Sequence, residues 1–252
     1  MPSYTDEGVV LRTVKLGEAD RIITVLTRSH GKIRAVAKGV RRTRSRFGGR
    51  LEPFSRNSFL IYEGRGELQH INQVESVAAY GSALAASYES YVAANVMVES
   101  VDKLLDAAEQ MMPQDVQPYY TLLVSALASL ARGEHSADVI ENSFLLRLLS
   151  TGGWAPRLDR CAVCGRQTDL NYFSVSAGGI TCSTDRFMDA QEISYDMRVQ
   201  LFALLKGRWD LLDESRQDKA ALNPAIGGIV EEWLQYYIER PVRSLQLVKS
   251  VL

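Results

Sequence analysis

Residues 31–50 read GKIRAVAKGVRRTRSRFGGR and combine a short strand pattern with a dense run of cations. Charged and apolar residues alternate through Lys32, Arg34 and Lys38, which predicts that these side chains lie on one face of a β-strand. From Arg41 the alternation stops, and the Ser, Thr and Gly residues predict an adaptable loop. No acidic residue lies within the stretch, so its cations repel one another unless an external anion neutralises them.

This charge predicts a surface for a polyanion such as a phosphodiester backbone. The candidate DNA-binding residues are Lys32, Arg34, Lys38, Arg41, Arg42, Arg44 and Arg46, with Phe47 as a candidate platform for base stacking. Contacts from Lys and Arg to phosphates give affinity without sequence readout, so we expect binding to DNA of any sequence. Two other interpretations stay open, a solvated charge run and a docking surface through which an adaptor binds acidic partner proteins.

Five short segments on either side of and within this stretch predict a small barrel. Residues 5–14, 21–27, 32–40, 57–62 and 67–74 are rich in β-branched and aliphatic residues and are separated by turn-like segments. Because an isolated sheet of this size would expose its edges, we expect closure into a five-stranded barrel of the OB type, a fold that binds oligonucleotides. An SH3-like barrel and a sheet packed on a second domain are the alternatives.

Apolar residues follow the helical period from residue 80 onward, which predicts one long helix that ends before residue 112. Further helices are predicted over residues 118–131, over residues 136–152, and from Asn223 as N-cap to residue 240. The predicted fold class is therefore α+β. We expect an OB-fold DNA-binding domain at residues 1–79 and a helical domain at residues 80–252.

Composition is that of a folded protein, with 46% hydrophobic and 23% charged residues. Residues 1–80 contain 14 Lys and Arg against 8 Asp and Glu, whereas residues 81–252 contain 15 against 22. The basic first part favours a polyanion partner, and the acidic remainder argues against a protein that coats nucleic acid over its whole surface. No secretory signal and no membrane-spanning run is recognisable in the sequence, so we expect a cytoplasmic protein without a membrane partner.

All three cysteines lie in one segment, as Cys161-Ala-Val-Cys164 and, 17 residues further on, Cys182-Ser-Thr-Asp185. This is the spacing of a zinc ribbon in which an aspartate replaces the fourth cysteine. The pattern predicts a zinc-ribbon-like insertion at about residues 158–190, with Cys161, Cys164, Cys182 and Asp185 as ligands of one structural zinc ion. A degenerate ribbon held by its own packing is the alternative.

Motifs of the common catalytic sites are missing from the sequence. His30, His70 and His135 do not have the spacing of zinc proteases or deaminases, and no phosphate loop, GxSxG sequence or dinucleotide fingerprint occurs. We therefore expect a protein that is not an enzyme. The rival hypothesis, a zinc-dependent enzyme acting on nucleic acid, would need an open metal position and a general base.

Two longer blocks read KLGEADRIITVLTRSHGKIRAVAKGVRRTRSRFGGRLEPF at positions 15–54 and GGWAPRLDRCAVCG at positions 152–165. Through them the chain resembles the bacterial RecO family of DNA repair and recombination mediators, over essentially its whole length. The resemblance implies an N-terminal OB domain, a helical C-terminal domain with a zinc finger, and no nucleotide hydrolysis. Asp185 departs from the four-cysteine pattern of that family.

The resemblance also implies a function. Members of such a family bind single- and double-stranded DNA, anneal complementary strands and, together with RecR, help to load the RecA recombinase on DNA covered by single-strand-binding protein. We therefore expect DNA, RecR and single-strand-binding protein as partners, and a position at the nucleoid when the chain is bound to DNA.

Overall fold

The structure, a computed structural model, describes residues 2–64, 66–107, 112–214, 222–238 and 240–246. The chain divides into two compact units, Met1–Ala137 with Val242–Leu252, and Asp138–Pro241. The first unit thus groups the barrel with the helices that follow it. This grouping by contact differs from the predicted division between residues 79 and 80, which stays a prediction about domains.

The first unit is built on five strands that close into a barrel in the order β1-β2-β3-β5-β4. Their bounds are β1, Ser3–Leu16; β2, Asp20–Thr27; β3, Lys32–Ala37; β4, Ser55–Tyr62; and β5, Gln69–Ala79. β1 pairs with both β2 and β4, and β3 runs parallel to β5 while the other pairs are antiparallel. This arrangement confirms the predicted five-stranded barrel of the OB type.

Period-two alternation fills the barrel with apolar side chains such as Val10, Ile23, Ile33 and Phe59, all of which are buried. Burying a side chain of this size contributes about 1.5–3 kcal/mol, so the barrel core accounts for much of the stability of this unit. Gly8 is required by the close packing, since a Cβ atom there would lie 2.5 Å from Cγ1 of Val25.

The first unit also contains the helices α1, Gly81–Leu84; α2, Tyr88–Ala107; and α3, Pro113–Arg132. The single long helix predicted from residue 80 is wrong in one respect, because residues 85–87 are not helical and separate α1 from α2. Ser87 accepts a hydrogen bond from the backbone N–H of Ser90 at 3.2 Å and so starts α2 as an N-cap residue does. The end of the predicted helix, at residues 108–111, lies outside the described residues.

Helix α3 begins five residues before its predicted start at residue 118, and Pro118 lies inside it. The Asp115 carboxylate in its first turn accepts a hydrogen bond from the backbone N–H of Met112 at 3.2 Å, which supports the earlier start. The segment after residue 242 belongs to this unit because the carboxylate of Glu99 in α2 accepts hydrogen bonds from the backbone of Arg243 and Ser244.

In its described residues the second unit contains four α-helices and a three-stranded sheet with the order β7-β6-β8. Its elements are α4, Ala137–Thr151; β6, Tyr172–Ser174; β7, Gly179–Thr181; β8, Gln191–Glu192; α5, Tyr195–Lys206; α6, Trp209–Glu214; and α7, Pro224–Tyr237. Asn223 caps α7 as predicted, by accepting a hydrogen bond from the N–H of Ala225 at 3.0 Å, although the helix ends three residues before residue 240. Within the described ranges, every helix is too short or too polar to cross a lipid bilayer.

One mostly buried carboxyl group lies among these helices. Burial raises the pKa of Glu141 in α4 to about 7, and the negative charges of Asp138 and Glu231 act in the same direction. This group therefore stays protonated in the folded protein at a pH at which it would ionise in the unfolded chain.

Candidate nucleic-acid interface and metal centre

Two of the predicted cations, Lys32 and Arg34, lie within β3, and the others lie in the connection from β3 to β4, which we call the basic loop (residues 38–54). Its first turn is fixed to the β1–β2 turn, because the N–H of Gly39 donates to Oδ1 of Asp20 at 2.7 Å and the N–H of Arg41 donates to the carbonyl of Ala19 at 2.9 Å. Gly39 has a φ of +70°, a conformation that a side chain would strain. The start of the loop is therefore held in place by local bonds.

Phe47 and Leu51 anchor the other end of the basic loop in the barrel core, and both are 1% exposed. The interpretation of Phe47 as a platform for base stacking is therefore wrong. A barrel end needs an apolar side chain to close it, and Phe47 supplies one from the loop. The guanidinium of Arg46 lies 5.0 Å from the centre of the Phe47 ring, so the aromatic face holds this cation instead of a base.

Six of the seven predicted cations are exposed, and none of the six pairs with a carboxylate within the part of the chain that the structure describes. They are Arg34, Lys38, Arg41, Arg42, Arg44 and Arg46. The guanidinium of Arg41 donates to the carbonyls of Gly17 and Glu18 at 3.3 and 2.9 Å. These bonds orient Arg41 without neutralising its charge.

Lys32 differs from the other six because it has internal counterions. Its Nζ lies 3.0 Å from Oδ1 of Asp102 and also pairs with Asp106, both on α2, and its side chain is only 13% exposed. Asp102 also pairs with Arg12 at 2.7 Å. The charge of Lys32 is thus already compensated inside the unit, and its part in DNA binding stays a prediction.

A pocket of about 300 Å³ adjoins the basic loop on the outer face of the barrel. We call it the seam pocket; its lining includes Val36, Lys38, Arg46, Tyr62, His70 and Asn72. Lys38 and Arg46 were among the predicted cations, whereas Tyr62, His70 and Asn72 were missed. Those three come from β4 and β5, and no spacing in the sequence relates them to the basic loop.

In the second unit the predicted metal ligands lie together. The ligand atoms of Cys161, Cys164, Cys182 and Asp185 all lie within 4.8 Å of one another. The Sγ atoms of Cys164 and Cys182 are 3.8 Å apart, and Oδ2 of Asp185 lies 3.3 and 3.2 Å from the Sγ atoms of Cys161 and Cys182. Zinc–ligand bonds of 2.0–2.3 Å at tetrahedral angles separate ligand atoms by about 3.5–3.8 Å, so the cluster fits such an ion.

Backbone geometry explains how the two pairs of ligands meet. Gly165, with a φ of +76°, turns the chain after Cys164, and its N–H donates to the carbonyl of Cys161 at 3.0 Å. Arg157 lies against the β6–β7 hairpin so closely that a Cβ atom on Gly179 would fall 2.3 Å from its carbonyl oxygen. Gly165 and Gly179 therefore allow the tight turns that carry the ligands, and the Ala162 N–H donates to the Ile180 carbonyl at 2.7 Å between the two ligand pairs.

The four candidate ligands differ in how readily they ionise, since the hydrogen bond to Asp185 raises the pKa of the Cys164 thiol to about 12, whereas Cys161 and Asp185 are shifted toward their anionic forms. Burial opposes ionisation of Cys161, but backbone N–H groups, including those of Cys164 and Cys182, outweigh it and lower the pKa of the Cys161 thiol. Hydrogen bonds from the three thiols hold the pKa of the Asp185 carboxyl below its usual range. A cation is the ligand that such a set of sulfur and oxygen atoms suits best.

An OB barrel with an exposed cationic loop, followed by a helical unit with a cysteine cluster, defines the class of multidomain OB-fold proteins. The chain belongs to the recombination protein O family. The family model described as the N terminal of recombination protein O matches residues 1–80, and the one described as its C terminal matches residues 85–246.

Relatives of similar length carry the name DNA repair protein RecO. One from Bifidobacterium longum strain DJO10A is 50% identical over 250 residues, which cover 99% of this chain and 100% of the relative. One from Bifidobacterium adolescentis is 49% identical, over 98% of this chain and 100% of the relative. One from Streptomyces griseus is 42% identical, over 99% of this chain and 100% of the relative. The chain is thus a member of a family of DNA repair and recombination proteins.

Proposed function

We propose that this chain is a DNA repair and recombination mediator that binds single- and double-stranded DNA without sequence specificity and anneals complementary strands. The observation that carries the proposal is the set of six exposed cations on an OB barrel, which pair with no carboxylate among the described residues. Phosphates neutralised by such cations release their counterions, which favours binding to any sequence.

Annealing follows from the same contacts. Two single strands repel each other through their phosphates, and cations that neutralise both lower this repulsion. Contacts to the backbone leave the base edges available for pairing, because sequence is read at the bases and not at the phosphates. The basic loop can therefore hold strands close together without occupying the groups that pair. The proposal assigns no chemical reaction to the chain.

Protein partners are the second part of the proposal. Residues 81–252 carry 15 Lys and Arg against 22 Asp and Glu, a charge that suits contacts with proteins better than contacts with DNA. On the strength of the family resemblance we propose RecR and single-strand-binding protein as these partners, with RecA loading as the outcome. The site of action would be the cytoplasm, at the nucleoid while the chain is bound to DNA.

The cysteine cluster is proposed to hold one structural zinc ion through Cys161, Cys164, Cys182 and Asp185. The distances between these ligand atoms support the proposal, and four protein ligands leave no position for water or substrate. When bound, the ion would link the two turns that carry the ligands and neutralise their charge. A structural role for the ion argues against the zinc-dependent enzyme.

A strand-annealing assay tests the central proposal. Two complementary oligonucleotides are mixed in nucleotide-free buffer, with and without a covering of single-strand-binding protein, and duplex formation is followed by fluorescence. We expect the chain to accelerate duplex formation in both conditions. A rate equal to that of the protein-free control, or a strict dependence on ATP, would refute the proposal and leave the adaptor for acidic proteins as the better explanation of the basic loop.

A further inference from the structure

The seam pocket exists because two paired strands separate at the place where the barrel closes. β3 and β5 share only two residue pairs, Ala35 with Gln69 and Val36 with His70. β3 ends at Ala37, and the chain turns away into the basic loop. The outer face of the barrel is therefore left open beside His70.

A row of side chains forms the floor and walls of this pocket. Tyr62 in β4 lies directly opposite His70 in β5, and His70 lies opposite Val36 in β3. Directly opposed residues project on the same face of a sheet, so one phenol ring, one imidazole ring and one aliphatic side chain lie side by side. Lys38 follows Val36 by two residues and projects to the same face.

A bulge adds an amide to the row. The register of β4 and β5 shifts between Leu60, which pairs with Gln73, and Ile61, which pairs with Ile71, so Asn72 is the extra residue. A bulge re-aims the side chain of its extra residue, and Asn72 lines the pocket. Its amide offers both a donor and an acceptor.

Three polar side chains of this row are unpaired among the residues that the structure describes. Tyr62, His70 and Asn72 make no side-chain hydrogen bond with any other residue that the structure describes. Each is only partly exposed. Two aromatic rings, an amide and two cations thus converge on one pocket, a composition that suits an aromatic ligand with a phosphate attached.

We propose that the seam pocket binds one unpaired nucleobase of a single strand. The base would stack on the rings of Tyr62 and His70 and bond to the amide of Asn72, while Lys38 and Arg46 hold the adjoining phosphate. The volume of about 300 Å³ is at the lower end of ligand pockets, as one base requires. This proposal rests on the proposed function and extends it, since it gives the barrel a preference for bases that are not paired.

The wild-type chain provides the first test, which needs no variant. A short single strand of thymidines is compared with a strand of equal length and charge whose sugars carry no bases. Stacking contributes to affinity for the first strand only, so we expect it to bind about fivefold more tightly or better. Equal affinity for the two strands would overturn the proposal.

Variants test whether the pocket causes the preference for a strand with bases over a strand without bases. Tyr62→Leu should abolish the difference between the two strands and leave the affinity for duplex DNA unchanged, because the bases of a duplex are already stacked. Tyr88→Leu, at an exposed position outside the pocket, is the matched control and should keep the difference. A strand with one fluorescent aminopurine base should lose emission on binding to the wild-type chain and less on binding to Tyr62→Leu.

A second pair of variants covers the case in which Tyr62→Leu fails to fold. Asn72→Ala should reduce the preference for strands with bases, whereas Gln73→Ala, at the exposed neighbouring position, should not. A full preference in both Tyr62→Leu and Asn72→Ala would overturn the proposal. These outcomes differ from a failure of the proposed function, in which the wild-type chain would bind neither strand and would not anneal.

Discussion

The double substitution Arg42→Ala/Arg44→Ala tests whether the basic loop neutralises phosphates. Both side chains are exposed, and neither pairs with a carboxylate among the described residues. Each phosphate that is neutralised on a single strand contributes about −0.7 to the slope of log K against log salt concentration. Contacts from all six exposed cations would therefore give a slope of about −4, and the double variant should flatten it by about 1.4.

Fluorescence anisotropy of a labelled single strand, titrated at several salt concentrations between about 50 and 200 mM, measures this slope. Two controls show whether a flatter slope results from lost contacts in the basic loop or only from a lower net charge of the chain. Arg132→Ala/Lys206→Ala removes the same charge at two exposed positions outside the basic loop. Lys32→Ala/Asp106→Ala removes a cation together with its counterion and so tests Lys32 by itself, since a flatter slope would show that Lys32 also contacts phosphate. An unchanged slope in folded Arg42→Ala/Arg44→Ala, or an equal flattening in Arg132→Ala/Lys206→Ala, would refute the assignment of the loop.

Three further predictions concern metal binding and stability. Asp185→Cys should tighten zinc binding, because a thiolate suits zinc better than a carboxylate, and Cys161→Ser should loosen the second unit while DNA binding stays largely intact. Asp102→Ala leaves Arg12 without its carboxylate and Lys32 with Asp106 alone, and it should lower the free energy of unfolding by about 1–3 kcal/mol in urea titrations, because solvent screens the half-exposed Arg12 pair. Glu141→Gln should stabilise the chain at pH 8 by about 1–3 kcal/mol and have little effect at pH 4.

The sign of the last effect follows from the raised pKa of Glu141, about 7 against an ordinary 4.5. Between these values the folded state holds a proton that the unfolded state has lost, so stability falls as the pH rises through this window. Glutamine stays neutral at every pH, so Glu141→Gln should remove this loss of stability. Equal melting temperatures of the wild-type chain and Glu141→Gln at pH 8 would contradict the claim that ionisation of Glu141 destabilises the folded chain.

Checks on the metal and on Asp102 are equally direct. Elemental analysis of protein purified without chelator should find zinc, and a content near zero that Asp185→Cys does not change would mean that the ligands are held by packing alone. Loss of DNA binding in folded Cys161→Ser would show that the metal centre does more than support its own unit. For Asp102→Ala, Asp106→Ala is the milder comparison, because that carboxylate is more exposed and, among the described residues, pairs with Lys32 alone.

Local patterns explain why the barrel and the clustering of Cys161, Cys164, Cys182 and Asp185 were predictable. Strand alternation and turn glycines depend on neighbouring residues, and the barrel follows once every strand edge must be paired. The four candidate metal ligands lie in two short turns whose spacing is visible in the sequence, and their ligand atoms lie within 4.8 Å of one another. Both features are determined over short distances along the chain.

Contacts between distant residues explain what was missed. The counterions of Lys32 lie 70 and 74 residues further along the chain, so the charge of the basic stretch could not reveal them. The burial of Phe47 depends on closure of the barrel, which a loop composition rich in Gly and Ser does not indicate. Asn72 enters the seam pocket through a bulge, which brings Ile71 and Val74 into the core although they are three residues apart, and this single break in the alternation does not show which residue is the extra one.

The most direct test of the account is the binding of the wild-type chain to two single strands of unrelated sequence at about 150 mM salt, measured by anisotropy. We expect similar affinities for both strands, weaker binding by Arg42→Ala/Arg44→Ala, and near wild-type binding by Arg132→Ala/Lys206→Ala. Absence of binding to either strand, or a strong preference for one sequence that survives Arg42→Ala/Arg44→Ala, would contradict the claim that the basic loop of the barrel is a DNA-binding surface.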